Sequence, residues 1–322
     1  MQVSNLVSQK NSHEDGMFGG KADNNSKFGN IRKDQYLGGR AFKYAGAAFT
    51  PTYLNSIEYV SITHGGQAQD FGDIGSGGGY KPGACTGYGT RIVLNGGGLY
   101  NGYDHHSATS RTSSSEFGTE AVDKQRAYPV SNGTRGFWCG GQNPTGAIDG
   151  MQYLNLLGGG ASIDFGETGM GTGGSAVEAY ACGDGSRGLI SAGFYPQVNT
   201  NFYFNMGTHG SGAATDWGER SSSSGDAGTC AGGGRYIFFG QYGPSPGIDS
   251  GNIQTTGSAV VFGQYATKPN GNTMDSDGNR GMGYAGENAP LVQYVTIGTF
   301  GNSVDFGEPL IYTYYHGGAS GD

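Results

Sequence analysis

The sequence predicts an all-β chain folded as a β-propeller, and two periodic marks and one compositional feature carry that prediction. The dipeptide Phe-Gly, once Trp-Gly, occurs at Phe28, Phe71, Phe117, Phe165, Trp217, Phe262 and Phe306, with gaps of 43, 46, 48, 52, 45 and 44 residues. A second mark runs in phase with it. An Arg followed by a short apolar run and a Gly occurs at Arg40, Arg91, Arg135, Arg187, Arg235 and Arg280, each 26–31 residues ahead of the next aromatic-Gly pair. A 40–50-residue period in a β-type sequence is the signature of propeller blades. The third observation is glycine, 66 of 322 residues, interleaved with 21 Tyr and 16 Phe. That mixture fits turns and close backbone approach rather than a flexible linker, and no Gly-X-Y period exists to suggest collagen.

The elements follow in order from one unit. In the third, 127–131 (AYPVS) and 134–141 (TRGFWCGG) read as two strands, the second ending in a Gly-Gly turn. Residues 151–156 (MQYLNL) alternate as a third strand and 163–167 (IDFGE) form a short fourth. Four short antiparallel strands make one blade. The third strand recurs at 57–62, 201–206 and 292–297. No segment shows a sustained 3.6-residue period, so helices are not expected. The second unit departs from the pattern: 101–115 is polar and reads as a long irregular loop. The fifth carries Val261 where other units place an acid before the aromatic.

Seven marks over 322 residues predict seven blades in a single domain, 1–322, with six blades as the alternative. The C-terminal run Leu310–Tyr315 matches the strand that precedes each Arg, but no Arg follows it. The expected closure is a blade shared by the N- and C-terminal strands, which removes a free sheet edge. Residues 1–38 are then part of that closing blade or, in a six-bladed ring, an N-terminal arm.

Composition bounds the function. A formal charge of −8 with 18 Lys and Arg argues against a nucleic-acid partner, which needs a basic surface. No 18-residue apolar run predicts a membrane span, and the first residues lack the basic start and apolar core of a secretory signal. Cys85, Cys182 and Cys230 fall five or six residues before a repeat Arg, and Cys139 lies elsewhere. All four read as reduced, structural thiols.

The motifs are read structurally. The acid-Phe-Gly triplets at Asp70, Asp164 and Asp305, with their relatives at Glu116 and Asp216, would place the aromatics Phe71, Phe117, Phe165, Trp217, Phe262 and Phe306 between blades. The acid then accepts from turn amides or pairs with a repeat Arg. Glycine strings such as 158–160 lack the following helix of a dinucleotide site. His13, His64, His105, His106, His209 and His316 show no metal-ligand spacing. Neither a metal, a cofactor nor catalytic residues are expected. A paired-carboxylate glycosidase is the alternative, because propellers gather such residues from separate blades.

The pattern "RG-hydrophobic-GG … I-x-Y-h-x-I … DFG(D/E)", carried by 135–141, 57–62 and 69–73, covers nearly the whole chain. It resembles the Gly-rich Asp-Phe-Gly repeats in structural proteins of marine tailed phages, cyanophages especially. It also resembles kelch repeats, without the kelch spacing between Tyr and Trp. The resemblance implies a virion component, of tail or head, with a propeller fold and no transferred catalytic residue. Its expected partners are other virion proteins, further copies of itself and a host-surface glycan. The candidate glycan patch is the irregular stretch of the second unit: Tyr100, Asn101, Tyr103, Asp104, His105 and His106. The alternative activity is degradation of host envelope polysaccharide.

Overall fold

A computed structural model describes residues 39–47, 53–75, 82–87, 90–95, 101–170, 180–191, 193, 198–208, 214–221, 223, 227–239, 247–267, 273–284, 291–313 and 316–321. Among these residues there is no helix, and the strands form six small antiparallel blades in a β-propeller arrangement. Blades are numbered in chain order and their strands run from inner to outer. Blade 2 comprises Ala84–Gly87, Arg91–Asn95, Gly102–Ser107 and Ser115–Thr119. Blade 3 comprises Tyr128–Ser131, Arg135–Cys139, Gly150–Asn155 and Ile163–Glu167. Blade 4 comprises Tyr180–Gly183, Arg187–Ser191, Thr200–Asn205 and Thr215–Glu219. Blade 5 comprises Gly228–Gly232, Arg235–Phe239, Gly247–Asn252 and Val260–Gln264, and blade 6 Thr273–Ser276, Arg280–Tyr284, Val292–Thr296 and Val304–Gly307. Blade 1 is composite. Arg40–Ala47, Tyr53–Ser61 and Gln69–Asp73 are consecutive, but the inner strand is Gly317–Gly321, paired antiparallel to Arg40–Ala47.

Six blades replace the seven expected. The Arg series was the better counter, because each Arg opens the second strand of one blade. The Phe-Gly series counts one more because Phe28 falls in 1–38, outside the described residues. A second correction concerns the C-terminus. The inner strand of blade 1 is not Leu310–Tyr315 but Gly317–Gly321, and Leu310 and Ile311 belong to the connection leading into it. A third concerns the second unit, whose polar stretch forms a regular strand, Gly102–Ser107. Its polar Asp104 and His106 are buried among blade contacts, so an alternation rule that expects apolar inward positions misreads it.

The Phe-Gly mark is a β-bulge. In blade 1 Ile57 pairs with Gly72 and Glu58 with Asp70, leaving Phe71 unpaired. The same shift skips Phe117, Phe165, Trp217, Phe262 and Phe306. An extra residue on one strand re-aims its side chain. Phe165 accordingly sits 4.9 Å from Phe137 of its own blade and 5.5 Å from Phe204 of the next. Glycine is needed after the aromatic for two reasons visible at Gly218. Its φ is 126°, and a Cβ there would lie 2.8 Å from the Gly257 carbonyl of the next blade.

That next blade lays its backbone along the outer strand. The amides of Ser114, Ser162, Ala214, Ala259, Ser303 and Ala68 donate to the carbonyls of Asp73, Thr119, Glu167, Glu219, Gln264 and Glu308, at 2.7–2.9 Å. Each bond runs from one blade to the preceding one, and the sixth runs from blade 1 to blade 6. Outer edges that would otherwise expose unpaired groups are thereby partly covered.

Candidate functional site

Among the described residues, the repeat arginines reach backbone carbonyls of the following blade. Arg40 donates to the Ala108 carbonyl (2.6 Å), Arg91 to Leu156 and Leu157, Arg135 to Thr208 and Arg187 to Ile253 and Gln254. Arg235 donates to Ile297 and Arg280 to Ile62. Every bond reaches the end of the third strand in the following blade, and Arg280 of blade 6 reaches blade 1. Each guanidinium also lies over an aromatic ring: Arg40 over Tyr59, Arg91 over Phe117, Arg135 over Tyr153, Arg187 over Tyr203 and Trp217, Arg235 over Phe300, and Arg280 over Tyr294. A planar cation suits both tasks, stacking and donating in its own plane. Two of the acids take the other role that their sequence allows. Asp216 accepts from the Gly218 amide (2.8 Å) and Asp164 from Gly166 (3.3 Å), each bracing its own bulge.

The glycan patch expected in the second unit is dispersed. Tyr100 lies outside the described residues and Asn101 is exposed. Tyr103, Asp104 and His106 are buried. Tyr103 faces blade 3, with its ring 4.5 Å from Trp138. Asp104 accepts from the Ser114 hydroxyl at 2.7 Å. His106 faces blade 1: Nε2 lies 2.8 Å from the Tyr44 hydroxyl, and the imidazole packs beside Phe42 and Phe71. Burial lowers its pKa to about 4, so it is neutral at pH 7. Half-buried His105 rests against Phe117, its pKa lowered by burial and then by Arg91. These side chains join three blades rather than forming one surface.

The six inner strands surround a central cavity of about 130 Å³. Cys85, Cys182 and Cys230 occur on its lining strands, and all four cysteines are free and buried. Burial raises the thiol pKa of Cys139 and Cys182 to about 12 and also raises those of Cys85 and Cys230, so the reactive thiolate is scarce. Asp275 is the carboxylate on this lining. It is buried, its Oδ2 has no hydrogen-bond partner, and burial holds its pKa well above the usual carboxylate range. Burial favours its protonated form, opposed by the backbone hydrogen bond it takes from Phe42. Among the described residues, no group of three His, Cys, Asp or Glu could hold a metal ion.

Sequence reasoning missed two buried polar sites. Between blades 1 and 6, Lys43 and Glu58 form an ion pair (3.3 Å) with both side chains 2% exposed. Glu58 accepts from the Leu310 and Ile311 amides at 2.9 and 3.0 Å, and Lys43 donates to the Ile311 carbonyl at 2.6 Å. Between blades 2 and 3, Glu120 accepts from Asn95 and from the Lys124 amide, while Lys124 Nζ donates to the Gly150 carbonyl. Burial raises Glu120 to about 7 and lowers Lys124 to about 8. The signal for the first was Lys43 itself, a cation inside an Arg-led run whose other copies are apolar at that place.

Fold and site together define a β-propeller whose recurrent polar residues fasten one blade to the next. The chain matches no family model, and no curated protein matches it. Among the described residues, no helix is long and apolar enough to cross a membrane.

Proposed function

We propose that this protein is a structural, non-enzymatic component of a phage particle, in its tail or on its head. In this reading a rigid ring presents rim loops to a host-surface glycan or to other virion proteins. The ring is closed where Gly317–Gly321 completes blade 1. The supporting observation is the use made of the repeated charges: each Arg that recurs in register is committed to the neighbouring blade. A scaffold that spends its periodic residues on rigidity leaves recognition to segments that break the period. One such segment is the small hairpin of blade 3, Gln142–Asn143 against Gly146–Ala147, which the other blades' described residues do not repeat. It is tied down by the pairing of Gln125 with Gln142.

Two measurements test this reading. Cryo-electron microscopy of particles whose genome encodes the chain should place six-bladed rings on the particle surface. A glycan array should show binding that an Asn143→Ala/Thr145→Ala variant reduces. Release of reducing ends from envelope polysaccharide by the purified protein would overturn the non-enzymatic reading and favour a depolymerase.

A further inference from the structure

In each blade the loop between the third and outer strands lies over the preceding blade. In blade 4 this loop is longer. In the other five it has one length, and its fourth residue is Gly65, Arg111, Gly159, Thr256 or Phe300. Blade 5 and the loop over it show where that residue stands: the Arg235 guanidinium carbon lies 4.7 Å from the centre of the Phe300 ring. Over blade 1 the same place holds a second cation. Arg111 lies over Tyr59 at 5.4 Å, and the repeat Arg40 lies over the same ring at 4.9 Å. Arg111 donates to the Tyr59 hydroxyl at 2.7 Å and to Gln69 Oε1 at 2.5 Å, and Tyr59 donates to that Gln69 oxygen at 2.8 Å. Gln69 breaks the period too, since no other blade opens its outer strand with an amide. Two guanidiniums are thus held at one ring without a counter-charge. Arg40 spends one nitrogen on the Ala108 carbonyl and Arg111 one nitrogen on its two acceptors, and among the described residues neither has an ion-pair partner.

We propose that Arg111, beside Arg40, binds the acidic group of a host-surface sugar, a carboxylate or a sulfate. The inference rests on the glycan reading above and deepens it by assigning the class of sugar and the place that takes it. Like charges held close repel, and an anion bound beside both relieves the repulsion. The unspent N–H groups of a planar guanidinium match the paired oxygens of a carboxylate or sulfate. Arg111 is exposed, yet its bonds to Tyr59 and Gln69 fix it before any ligand arrives, so less side-chain freedom is lost on binding. Neutral hydrogen-bonding groups for the rest of a sugar lie at the adjoining strand end. Ser61 pairs with Arg40 across the ladder, and the exposed Thr63 and His64 follow it. Blades 1, 3 and 6 carry a Gly, a Gly or a Phe where blade 2 carries Arg111, so the ring closes without this cation.

The test is an array that sets each carboxylated or sulfated glycan beside its neutral parent and beside aspartate-rich peptides. The protein should bind members of the acidic set at least about tenfold more tightly than their parents, and added salt should weaken that binding. Arg111→Thr, which copies Thr256 of blade 5, should remove the preference with urea unfolding unchanged. Should its unfolding shift, Arg111→Lys replaces it as the deciding variant. It keeps the charge but not the planar fork, and should cost at least about threefold in affinity. Binding of neutral glycans alone, or of acidic ones without regard to the deciding variant, would overturn this inference and leave the glycan reading standing. Binding of no glycan would overturn both. Peptides bound as tightly as the acidic sugars would assign the site to a protein partner and overturn it as well.

Discussion

Blade 1 and blade 6 are built from the same four strands, yet one is held together by the chain and the other is not. In blade 6 a tight turn at 277–279 joins the inner strand to the second. In blade 1 the inner strand is Gly317–Gly321 and the second begins at Arg40, so no short turn links them. The residue that anchors the incoming connection differs accordingly. In blade 6 it is the neutral Gln293, donating to the Thr267 carbonyl at 2.9 Å and accepting from Ser303 at 2.6 Å. In blade 3 Gln152 does the same with Val122 and Ser162. In blade 1 the corresponding residue is Glu58, across the bulge from Asp70 as Gln293 is from Asp305. Ala68 stands where the serine would be, and Lys43 supplies the partner instead. A charged clasp with three bonds to residues 310–311 does in blade 1 what one amide does in blades 3 and 6. Blades 2 and 5 carry an acid at the same place, Asp104 and Asp249, and Asp249 accepts from the Ser221 amide and hydroxyl, so what sets blade 1 apart is the buried lysine that pairs with the acid.

The largest expected effect comes from breaking that clasp. Glu58→Ala leaves Lys43 buried without its partner, which costs about 3–5 kcal/mol. Hydrogen exchange at Gly317–Gly321 should accelerate with it, since local opening follows the loss of local contacts. Lys43→Leu with Glu58→Gln copies the leucine of blade 2 (Leu94) and the glutamine of blades 3 and 6. It should recover most of the loss, because neutral replacements of buried ion pairs are commonly tolerated. Urea unfolding of the two variants decides it: a single-variant cost below about 1 kcal/mol, within the ordinary spread of surface substitutions, would mean the clasp does not hold the blade.

How much of this was legible follows from what repeats. Strand 163–167 was read to the residue, and 134–141 and 151–156 to within a few, because apolar periodicity and paired glycines are local signals. The bulge was visible as Phe-Gly but not as a bulge, since a one-residue register shift needs the partner strand. The Arg–acid pairing was misassigned for a similar reason. Both groups lie in each repeat, but the arginine reaches a backbone carbonyl of the following blade, and carbonyls carry no sequence mark. Glu58 and Lys43 were hidden because their partners, 310–311, lie over 250 residues away. His105 and His106 looked like loop residues because polar side chains on a strand are read as solvent-facing, whereas His106 is buried against Tyr44.

That histidine extends the contrast to the other flank of blade 1. The junction of blades 3 and 4 is filled by Phe137, Phe165, Phe204 and Met206, none of which titrates. Blade 1 meets blade 2 through Tyr44 and His106. The unfolded chain takes up a proton near the ordinary histidine value of 6.5, and the folded chain only near 4. The stability is present above 6.5 and is lost as the pH falls from 6.5 through 4, by on the order of 3 kcal/mol. Glu120 acts in the opposite sense. Its carboxyl, raised to about 7, contributes stability below 4.5 that is lost as the pH rises through 7. The difference between the wild type and His106→Gln therefore isolates the histidine. The wild-type urea midpoint should fall relative to that of the variant from pH 7 through 5.5 to 4, and parallel profiles would discard the assignment.

The smallest expected effect tests the comparison from the tethered side. Gln293→Ala removes the amide that holds the connection at Thr267 and leaves a carbonyl and the Ser303 hydroxyl without that partner, a loss of about 1–3 kcal/mol. The expected distinction is where the damage goes. The inner strand Thr273–Ser276 remains joined through its turn to Arg280, so its amides should keep their protection while global stability drops modestly. In Glu58→Ala the inner strand of blade 1 has no such turn and should open before the rest of the molecule unfolds. Equal local opening at the two inner strands would show that the missing turn makes no difference, and that the charge at Glu58 answers some need other than closing the ring.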